Sequence, residues 1–301
     1  MPSVATIREK IRTLSQSRLV SIDDEVTVVA TERISPSFQR VALRGDCLSA
    51  YDTVRPADGF KIELGTPEES AIRGFTVRRF DHADLTLHAD VHLHPNSPAA
   101  AWAQDPTLDR PVRFLGFRRD FAIGDGIEQH VLVADASAIP AVASILEAIP
   151  HDHRVIVLAE APTPEDLDLL GAGSHVEVRP IVGAPSVGVD SPLAAAAREL
   201  PAGPEAQYWV SAESSTVRAV RRHLLDHDVP RGQLHATAYW IAGTTSTQRD
   251  AQEAVTYTRA VEAGLDVDDP QVYDLLEFEG DAPAGALEPA ACTTFELRDR
   301  T

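Results

Sequence analysis

The stretch 73-RGFTVR-78 concentrates side chains that could hold a ligand, because Arg73 and Arg78 flank the ring of Phe75 and the hydroxyl of Thr76. Guanidinium groups form paired hydrogen bonds with carboxylates and phosphates, and an aromatic ring offers a flat apolar surface. The same residues are equally consistent with an edge strand whose arginines are exposed to solvent. On this motif alone, both interpretations stay open.

Side chains along a β-strand point alternately to its two faces, and this divides the motif. Arg73 and Phe75 fall on one face, whereas Thr76 and Arg78 fall on the other. One ligand can contact both sets only if the strand bends at its end. The spacing therefore predicts a kinked strand end.

Two different patterns of apolar residues surround this motif. From Val26 to about Ile123, short β-rich runs are separated by Gly, Pro and Asp, which is typical of a small antiparallel barrel. From residue 128 onward, continuous apolar strands alternate with helical segments at 191–200 and 216–228. This alternation indicates a parallel, doubly wound sheet.

The predicted domain order follows from these patterns. Residues 1–24 form a helical extension, since apolar residues over 5–20 have helical spacing. Residues 25–126 form the barrel domain and residues 127–245 the α/β domain. Residues 246–301 form an acidic C-terminal helix and tail.

Composition narrows the class of partner. The net charge of −19 argues against nucleic acid and anionic membranes, since both attract a positive field. The two cysteines, Cys47 and Cys292, lie far apart and outside any Cys/His cluster, so neither a disulfide framework nor a zinc site is predicted. No apolar run approaches the ~20 residues of a membrane span, and the first residues lack a signal-peptide core. We predict a soluble, cytoplasmic protein whose partners are small molecules, with neither nucleic acid nor membrane among them.

The alternating segment 88-HADVHLH-94 places His88, Asp90, His92 and His94 on one strand face. Every second residue of a strand is separated by ~7 Å, which is awkward for convergence on one metal ion. We therefore predict no metal site there and expect this face to be solvated.

The layout of a barrel followed by an α/β domain resembles that of ferredoxin-reductase-like flavoenzymes, and the motifs resemble those of the siderophore-interacting protein family of FAD-dependent ferric-siderophore reductases. The family's Arg-x-Tyr-Thr/Ser-x-Arg flavin signature is similar to 73-RGFTVR-78, with Phe75 in the place of tyrosine. Further landmarks follow in family order at 91–103, 135–141, 209–225 and 239–240. The similarity extends from about residue 26 to 243.

The resemblance implies a ferredoxin-reductase-like fold with an FAD-binding barrel and an NAD(P)H-type α/β domain. It implies cofactor contacts from Arg73, Phe75, Thr76, Arg78, His94, Ser97, Ala99, Ala100, Trp102, Asp135 and Trp240. An acidic protein needs local positive charge to attract an anionic chelate, so we predict siderophore contacts from Arg79, Arg118, Arg119 and Arg222, of which Arg118 also matches a family position. The implied activity is flavin-dependent reduction of a ferric siderophore, releasing Fe(II) for iron acquisition, with NADH, NADPH or reduced ferredoxin as donor. Flavin takes up two electrons and releases them singly, so no catalytic side chain or protein metal ligand is implied.

The chain departs from the family pattern in the flavin region. Phe75 lacks the tyrosine hydroxyl, and Pro95 and Ser97 replace glycines of the pyrophosphate turn. A helix that begins near Ser97 and Pro98 would still supply backbone N–H donors. Trp102 would either stack on the adenine or pack in the junction between barrel and helix.

The dinucleotide region departs further. The turn after the first parallel strand has no GxGxxG, and Asp135 would either contact the cofactor or cap a helix. Glu160 and Glu165 follow the second strand where a 2′-phosphate needs a basic residue, which favours NADH over NADPH. Two alternatives to ferric-siderophore reduction stay open: a flavin oxidoreductase with another acceptor, and a siderophore-binding member that has lost flavin.

Overall fold

The chain divides into two compact units, Met1–Leu14 with Asp250–Thr301 and Ser15–Arg249. The structure, a computed structural model, describes residues 19–65, 71–95, 97–105, 107–118, 121–124, 126–185, 187–244 and 255. All the strands and helices named below belong to the second unit.

The first part of the second unit is a curled antiparallel sheet. Its seven strands in the described residues are β1 (Leu19–Ser35), β2 (Phe38–Arg44), β3 (Gly59–Leu64), β4 (Ala71–Thr76), β5 (Arg79–Asp81), β6 (Thr86–His92) and β7 (Arg110–Arg118), in the order β4-β3-β7-β1-β2-β6-β5. The two edge strands, β4 and β5, follow each other in the chain. Between them the Val77 N–H donates to the Asp58 carbonyl at 2.7 Å and the Arg78 N–H to the His88 carbonyl at 2.9 Å. The edges therefore meet, and the predicted barrel is confirmed.

Alternation along these strands fills the barrel. Its buried interior includes Val26, Val28, Val41, Leu43, Phe60, Ile62, Leu87, Ala89, Phe114 and Phe117. Helix α1 (Pro98–Gln104) follows β6 and packs Trp102 against this core. It begins as predicted, because the Ser97 hydroxyl accepts a hydrogen bond from the Ala100 N–H at 3.2 Å and Pro98 occupies the first turn.

The second part is a parallel sheet of five strands in the described chain, β8 (Gln129–Ala134), β9 (Arg154–Ala161), β10 (Val176–Val182), β11 (Gln207–Glu213) and β12 (Leu234–Trp240). They lie in the order β10-β9-β8-β11-β12. The helices of this part are α2 (Ile139–Ala148), α3 (Pro164–Leu167), α4 (Pro192–Ala197) and α5 (Ser214–Asp226). The strand order reverses between β8 and β11, which is the switch point where doubly wound sheets bind ligands. The helices predicted at 191–200 and 216–228 correspond to α4 and α5.

Polar contacts fix the two parts of this unit to each other. The fully buried carboxylate of Asp166, on α3, accepts hydrogen bonds from the Ser35 hydroxyl at 2.6 Å and the Ser37 N–H at 3.0 Å. The Ser144 hydroxyl on α2 accepts from the Ala57 N–H at 2.9 Å. The barrel therefore faces the α/β part in a defined orientation.

Parts of the predicted organisation lie outside the described residues. Of the helix predicted over 5–20, only Leu19 and Val20 are described, and they belong to β1. The C-terminal helix and tail fall almost wholly outside as well, as does Arg119. Among the helices that are described, none combines the length and apolar character needed to cross a bilayer.

Candidate functional site

The motif strand β4 shows the predicted division of faces. Phe75 pairs with Phe60 of β3, and Arg73 pairs with Ile62, so both lie on the side of the barrel core. Thr76 pairs with Gly59 on the opposite face. After Thr76 the chain leaves β3 and crosses to β6, which is the bend that the spacing predicted.

An aromatic surface lies beside this strand. The Phe75 ring is 5.8 Å from that of Trp102 and 5.7 Å from that of Phe60. The Arg110 guanidinium lies 5.4 Å from the centre of the Trp102 ring and donates to the Trp102 carbonyl at 2.7 Å. Trp102 therefore packs at the junction of barrel and helix, yet its buried Nε1 donor has no partner in the described part of the chain.

Two more donors on β4 have no side-chain partner within the described residues. The Thr76 hydroxyl, on a residue only 8% exposed, has no hydrogen-bond partner there. Arg73 donates to the neighbouring Ile72 carbonyl at 2.9 Å and forms no ion pair among the residues described. We call Arg73, Phe75, Thr76, Ser97 and Trp102 together the motif face, and of these Thr76 lies across β4 from Arg73 and Phe75, at the end of the strand. The motif face combines ring surfaces, a cation and free donors, which is what a flat anionic cofactor needs.

The other residues near the barrel that were predicted to contact the flavin differ in their exposure and in their partners. Ala99 and Ala100 lie in the first turn of α1, next to the motif face in sequence. His94 is exposed, with its ring 5.9 Å from that of His92. Burial and the neighbouring His94 lower the pKa of His92 to about 4. Arg78 instead donates to Glu147 of α2 at 2.7 Å and lies 3.8 Å from Asp90.

The strand face expected to be solvated is instead partly covered. Asp90 has a side chain only 3% exposed and accepts two hydrogen bonds from Arg40, at 2.6 and 2.8 Å. A groove of about 480 Å³ opens above it, lined by Ala30, Glu32, Arg40, Ala42, Arg78, Arg79, His88 and Glu147. Burial, with Arg79 and Arg40 nearby, lowers the pKa of His88. The charges of the acidic and basic side chains that line this groove largely cancel.

The predicted siderophore arginines occupy different parts of the fold. Arg118 ends β7 and pairs with Gly59, which in turn pairs with Thr76, so Arg118 lies at the same end of the barrel as the motif face. Arg79 lies on β5 with a side chain 70% exposed, and Arg222 is exposed on α5 in the α/β part. Strand register thus links Arg118, of these three, to Thr76.

A second cluster lies where the parallel strands end. Asp135 follows β8 and is buried, and its carboxylate accepts four hydrogen bonds. These come from the Ser137 N–H at 2.9 Å, the Ser137 hydroxyl at 2.5 Å, the Glu213 N–H at 2.9 Å and the Trp240 Nε1 at 2.7 Å. Burial raises the pKa of the Asp135 carboxyl, and the hydrogen bonds oppose that shift without cancelling it. Asp135 therefore caps the following turn and also joins two strands.

Glu213, at the end of β11, forms the other half of this cluster. One carboxylate oxygen accepts from the Ser215 hydroxyl, from the Ser215 N–H at 2.7 Å and from the Thr216 N–H at 3.2 Å, and the other accepts from the Ala242 N–H at 3.2 Å. The landmark 209-WVSAES-214 contained Glu213, yet sequence reasoning did not assign it a role. Its position directly before a helix was the available signal.

We call Asp135, Glu213 and Trp240 the carboxyl edge. The structure brings together Asp135 and Trp240, both predicted as cofactor contacts, but through a direct hydrogen bond to each other. Glu160, near the end of β9, is a further buried carboxylate on this side of the sheet.

Comparison with known proteins gives a consistent result. Residues 127–243 match the family model described as siderophore-interacting protein. The ferric acinetobactin reductase of Acinetobacter baumannii is 23% identical over 259 residues, covering 84% of this chain and 90% of that protein. The mycobactin import ATP-binding/permease protein IrtA of Mycolicibacterium thermoresistibile is 29% identical over 232 residues. That match covers 73% of this chain but only 25% of IrtA.

Solved structures agree on the fold. The siderophore-interacting protein from Acinetobacter baumannii superposes with a TM-score of 0.73 at 22% identity, covering 80% of this chain and 99% of that one. Ferredoxin reductases share the fold as well. The predicted ferredoxin-reductase-like class is therefore confirmed, and residues 127–243 are similar to the siderophore-interacting protein family that the sequence motifs resemble.

Proposed function

We propose that this protein is an FAD-dependent ferric-siderophore reductase that acts in the cytoplasm. The observation that carries the proposal is the motif face, where the Thr76 hydroxyl and the Trp102 Nε1 have no partners among the described residues. Arg73 and Thr76 have no side-chain partner in the described chain, so this region keeps a positive charge and a hydroxyl for a ligand. The similarity to a protein named ferric acinetobactin reductase supports the class of substrate.

The residues of the motif face fit FAD. Phe75 and Trp102 offer ring surfaces for the isoalloxazine or the adenine, and Arg73 with the first turn of α1 offers donors for the pyrophosphate. The Thr76 hydroxyl can donate to the polar edge of the flavin ring. Bound FAD would supply a carrier that accepts two electrons and passes them singly to Fe(III).

The protein's own contribution is binding and orientation. Arg118 lies at the same end of the barrel as Thr76, so its guanidinium can attract the oxygen-rich surface of a ferric chelate toward the motif face. The exposed Arg79 could add to this attraction from β5. Fe(III) prefers hard oxygen ligands, so reduction of the substrate to the larger, softer Fe(II) loosens the chelate.

The decisive experiment is a titration of the purified chain with FAD, followed by anaerobic reduction of a ferric hydroxamate chelate with NADH, NADPH or reduced ferredoxin as the electron donor. Arg73→Ala removes a charged partner of the pyrophosphate and should raise the FAD dissociation constant about tenfold or more. Arg44→Ala is the matched control, because Arg44 is an exposed barrel arginine paired with Asp84 at 3.1 Å. This variant should bind FAD like the wild type.

Two results would contradict the proposal. A chain that takes up no FAD would leave siderophore binding without flavin as the function. Flavin-loaded protein that reduces quinones or dyes but no ferric chelate would assign it to another acceptor.

A further inference from the structure

The groove above Asp90 lies on the outer face of the barrel, opposite the buried core. Ala30 of β1 pairs with Ala42 of β2, and Ala42 pairs with His88 of β6, so the middle of this face carries small side chains. These methyl groups leave room between the barrel and the end of α2, and the groove has a volume of about 480 Å³. Ligand sites for small molecules have volumes of roughly 300–1,000 Å³, so one such molecule fits here.

The charged side chains within the groove are held by partners of opposite charge. Arg40 donates to Asp90 at 2.6 and 2.8 Å, and Arg78 donates to Glu147 at 2.7 Å. Burial and the nearby arginines lower the pKa of His88, so its imidazole is neutral near pH 7. The inner part of the groove is therefore rigid and carries little net charge.

Two further charges stand at its rim. The Arg79 side chain is 70% exposed, and the Asp81 carboxylate lies 3.9 Å from its guanidinium. Glu32 is exposed and close enough to Arg40 to raise the pKa of that guanidinium. The arginines of the groove thus face the carboxylates of Glu32, Glu147 and Asp90, and no surplus of positive charge is left.

The arginines still offer hydrogen-bond donors to a ligand. A guanidinium has five N–H donors, and one carboxylate takes only two of them in a paired contact. A neutral ligand rich in oxygen atoms can accept the others. An anionic ligand finds no excess positive charge in the groove and is repelled by the net charge of −19 on the whole chain.

The groove adjoins the end of the motif strand. Arg78 and Arg79 directly follow Thr76 and Val77 in the chain, and the Arg78 N–H donates to the His88 carbonyl at 2.9 Å. Two residues of extended chain span roughly 7 Å at most, which limits the distance between the Cα atoms of Thr76 and Arg78. A molecule in the groove is therefore a close neighbour of a flavin that contacts Thr76.

We propose that the groove above Asp90 binds the ferric chelate, and that its balanced charges select a neutral hydroxamate-type chelate over an anionic catecholate. Three hydroxamate groups neutralise Fe(III), whereas three catecholate groups leave the complex with three negative charges. The hydroxamate oxygens accept hydrogen bonds from the guanidinium of Arg79 at the rim. The identity of the substrate rests on the proposed function, but binding in the groove requires no flavin.

The test is calorimetric titration of the chain without FAD. The two probes are the gallium(III) complexes of a hexadentate trishydroxamate and of a hexadentate tris-catecholate. Gallium(III) gives these complexes the same charges as Fe(III) but takes up no electron from a flavin, so binding is measured apart from reduction. The wild type should bind the hydroxamate complex about tenfold or more tightly than the catecholate complex. Equal binding of both, or tighter binding of the catecholate, would overturn the charge selection.

Two variants locate the site. Ala30→Trp fills the groove from an exposed position and should weaken binding of the hydroxamate complex about tenfold or more. Arg79→Gln removes the guanidinium at the rim and should weaken it about threefold to tenfold. Arg44→Ala is the matched control, because Arg44 is an exposed arginine of β2 outside the groove, and its affinity should stay within about twofold of the wild type. Circular dichroism melting curves verify that each variant is folded.

A third variant tests the charge balance. Glu32→Gln leaves the groove with one surplus positive charge, so it should tighten binding of the catecholate complex about threefold and leave the hydroxamate affinity unchanged. Glu25→Gln makes the same change at an exposed position of β1 outside the groove and should alter neither affinity.

Unchanged hydroxamate binding in both Ala30→Trp and Arg79→Gln would place the chelate elsewhere and overturn the inference. A chain that binds the hydroxamate complex in the groove but takes up no FAD would support the inference and contradict the proposed flavin chemistry. The two failures are therefore distinguishable.

Discussion

The motif face and the carboxyl edge both place polar groups in buried surroundings, but they satisfy those groups in opposite ways. At the motif face, the Thr76 hydroxyl and the Trp102 Nε1 have no partners among the described residues. At the carboxyl edge, the Asp135 carboxylate accepts four hydrogen bonds from its own chain, and Glu213 is saturated as well. A region with unused donors can gain free energy from a ligand, whereas a saturated one stabilises the fold.

The largest expected effect concerns the carboxyl edge, whose polar groups are already hydrogen-bonded. Asp135→Ala should lower the free energy of unfolding by about 3 kcal/mol, because it leaves the buried Glu213 N–H and the part-buried Trp240 Nε1 without an acceptor. Thr76→Ala should lower it by less than about 1 kcal/mol, since that hydroxyl makes no hydrogen bond in the described chain. Urea unfolding of the chain without FAD measures both. Equal losses would remove the distinction between the two regions.

Acid should act on the α/β part through a buried histidine away from the carboxyl edge. His130 is 1% exposed and its Nε2 lies 3.0 Å from the His153 Nδ1. Burial, with His153 nearby, lowers the pKa of His130 to about 4. As the pH falls below 6.5, His130 therefore binds a proton in the unfolded chain but stays neutral in the folded chain. Between pH 6.5 and about 4, this histidine therefore lowers the free energy of unfolding by about 2 kcal/mol.

Replacement of His130 isolates that contribution. In His130→Gln the urea midpoint should fall less between pH 6.5 and 4 than in the wild type, because the proton-binding group is gone. His82→Gln changes an exposed histidine on the barrel and serves as the control. An unchanged pH slope in His130→Gln would show that other groups dominate acid unfolding.

The smallest expected effect concerns FAD binding at the motif face. Phe75→Tyr restores the hydroxyl of the family signature on a ring that is only partly buried. A new hydrogen bond to FAD should lower its dissociation constant about threefold to tenfold. The free energy of unfolding without FAD should stay the same within about 0.5 kcal/mol. If the hydroxyl weakens FAD binding, Phe75 does not face the cofactor.

Local patterns were enough to predict several parts of the candidate site. Strand alternation alone predicts that Arg73 and Phe75 lie on one face of β4 and Thr76 on the other, and the structure confirms this arrangement. The helix start at Ser97 and Pro98 also follows from local backbone chemistry. The prediction of a solvated face around Asp90 was wrong, because α2 approaches this face from the other part of the chain and Arg40 pairs with Asp90.

The sequence alone determined the fold class, because alternating and continuous apolar runs are fixed by which faces each strand must bury. The tertiary structure alone decided which polar groups meet. Trp240 reaches Asp135 across 105 residues, and Arg78 reaches Glu147 across 69. Such partners depend on which strands and helices become neighbours, and no local pattern encodes that adjacency. For the same reason, only the folded chain shows that Glu213 caps the amino end of α5 and accepts the Ala242 N–H, while Thr76 at the motif face keeps an unused hydroxyl.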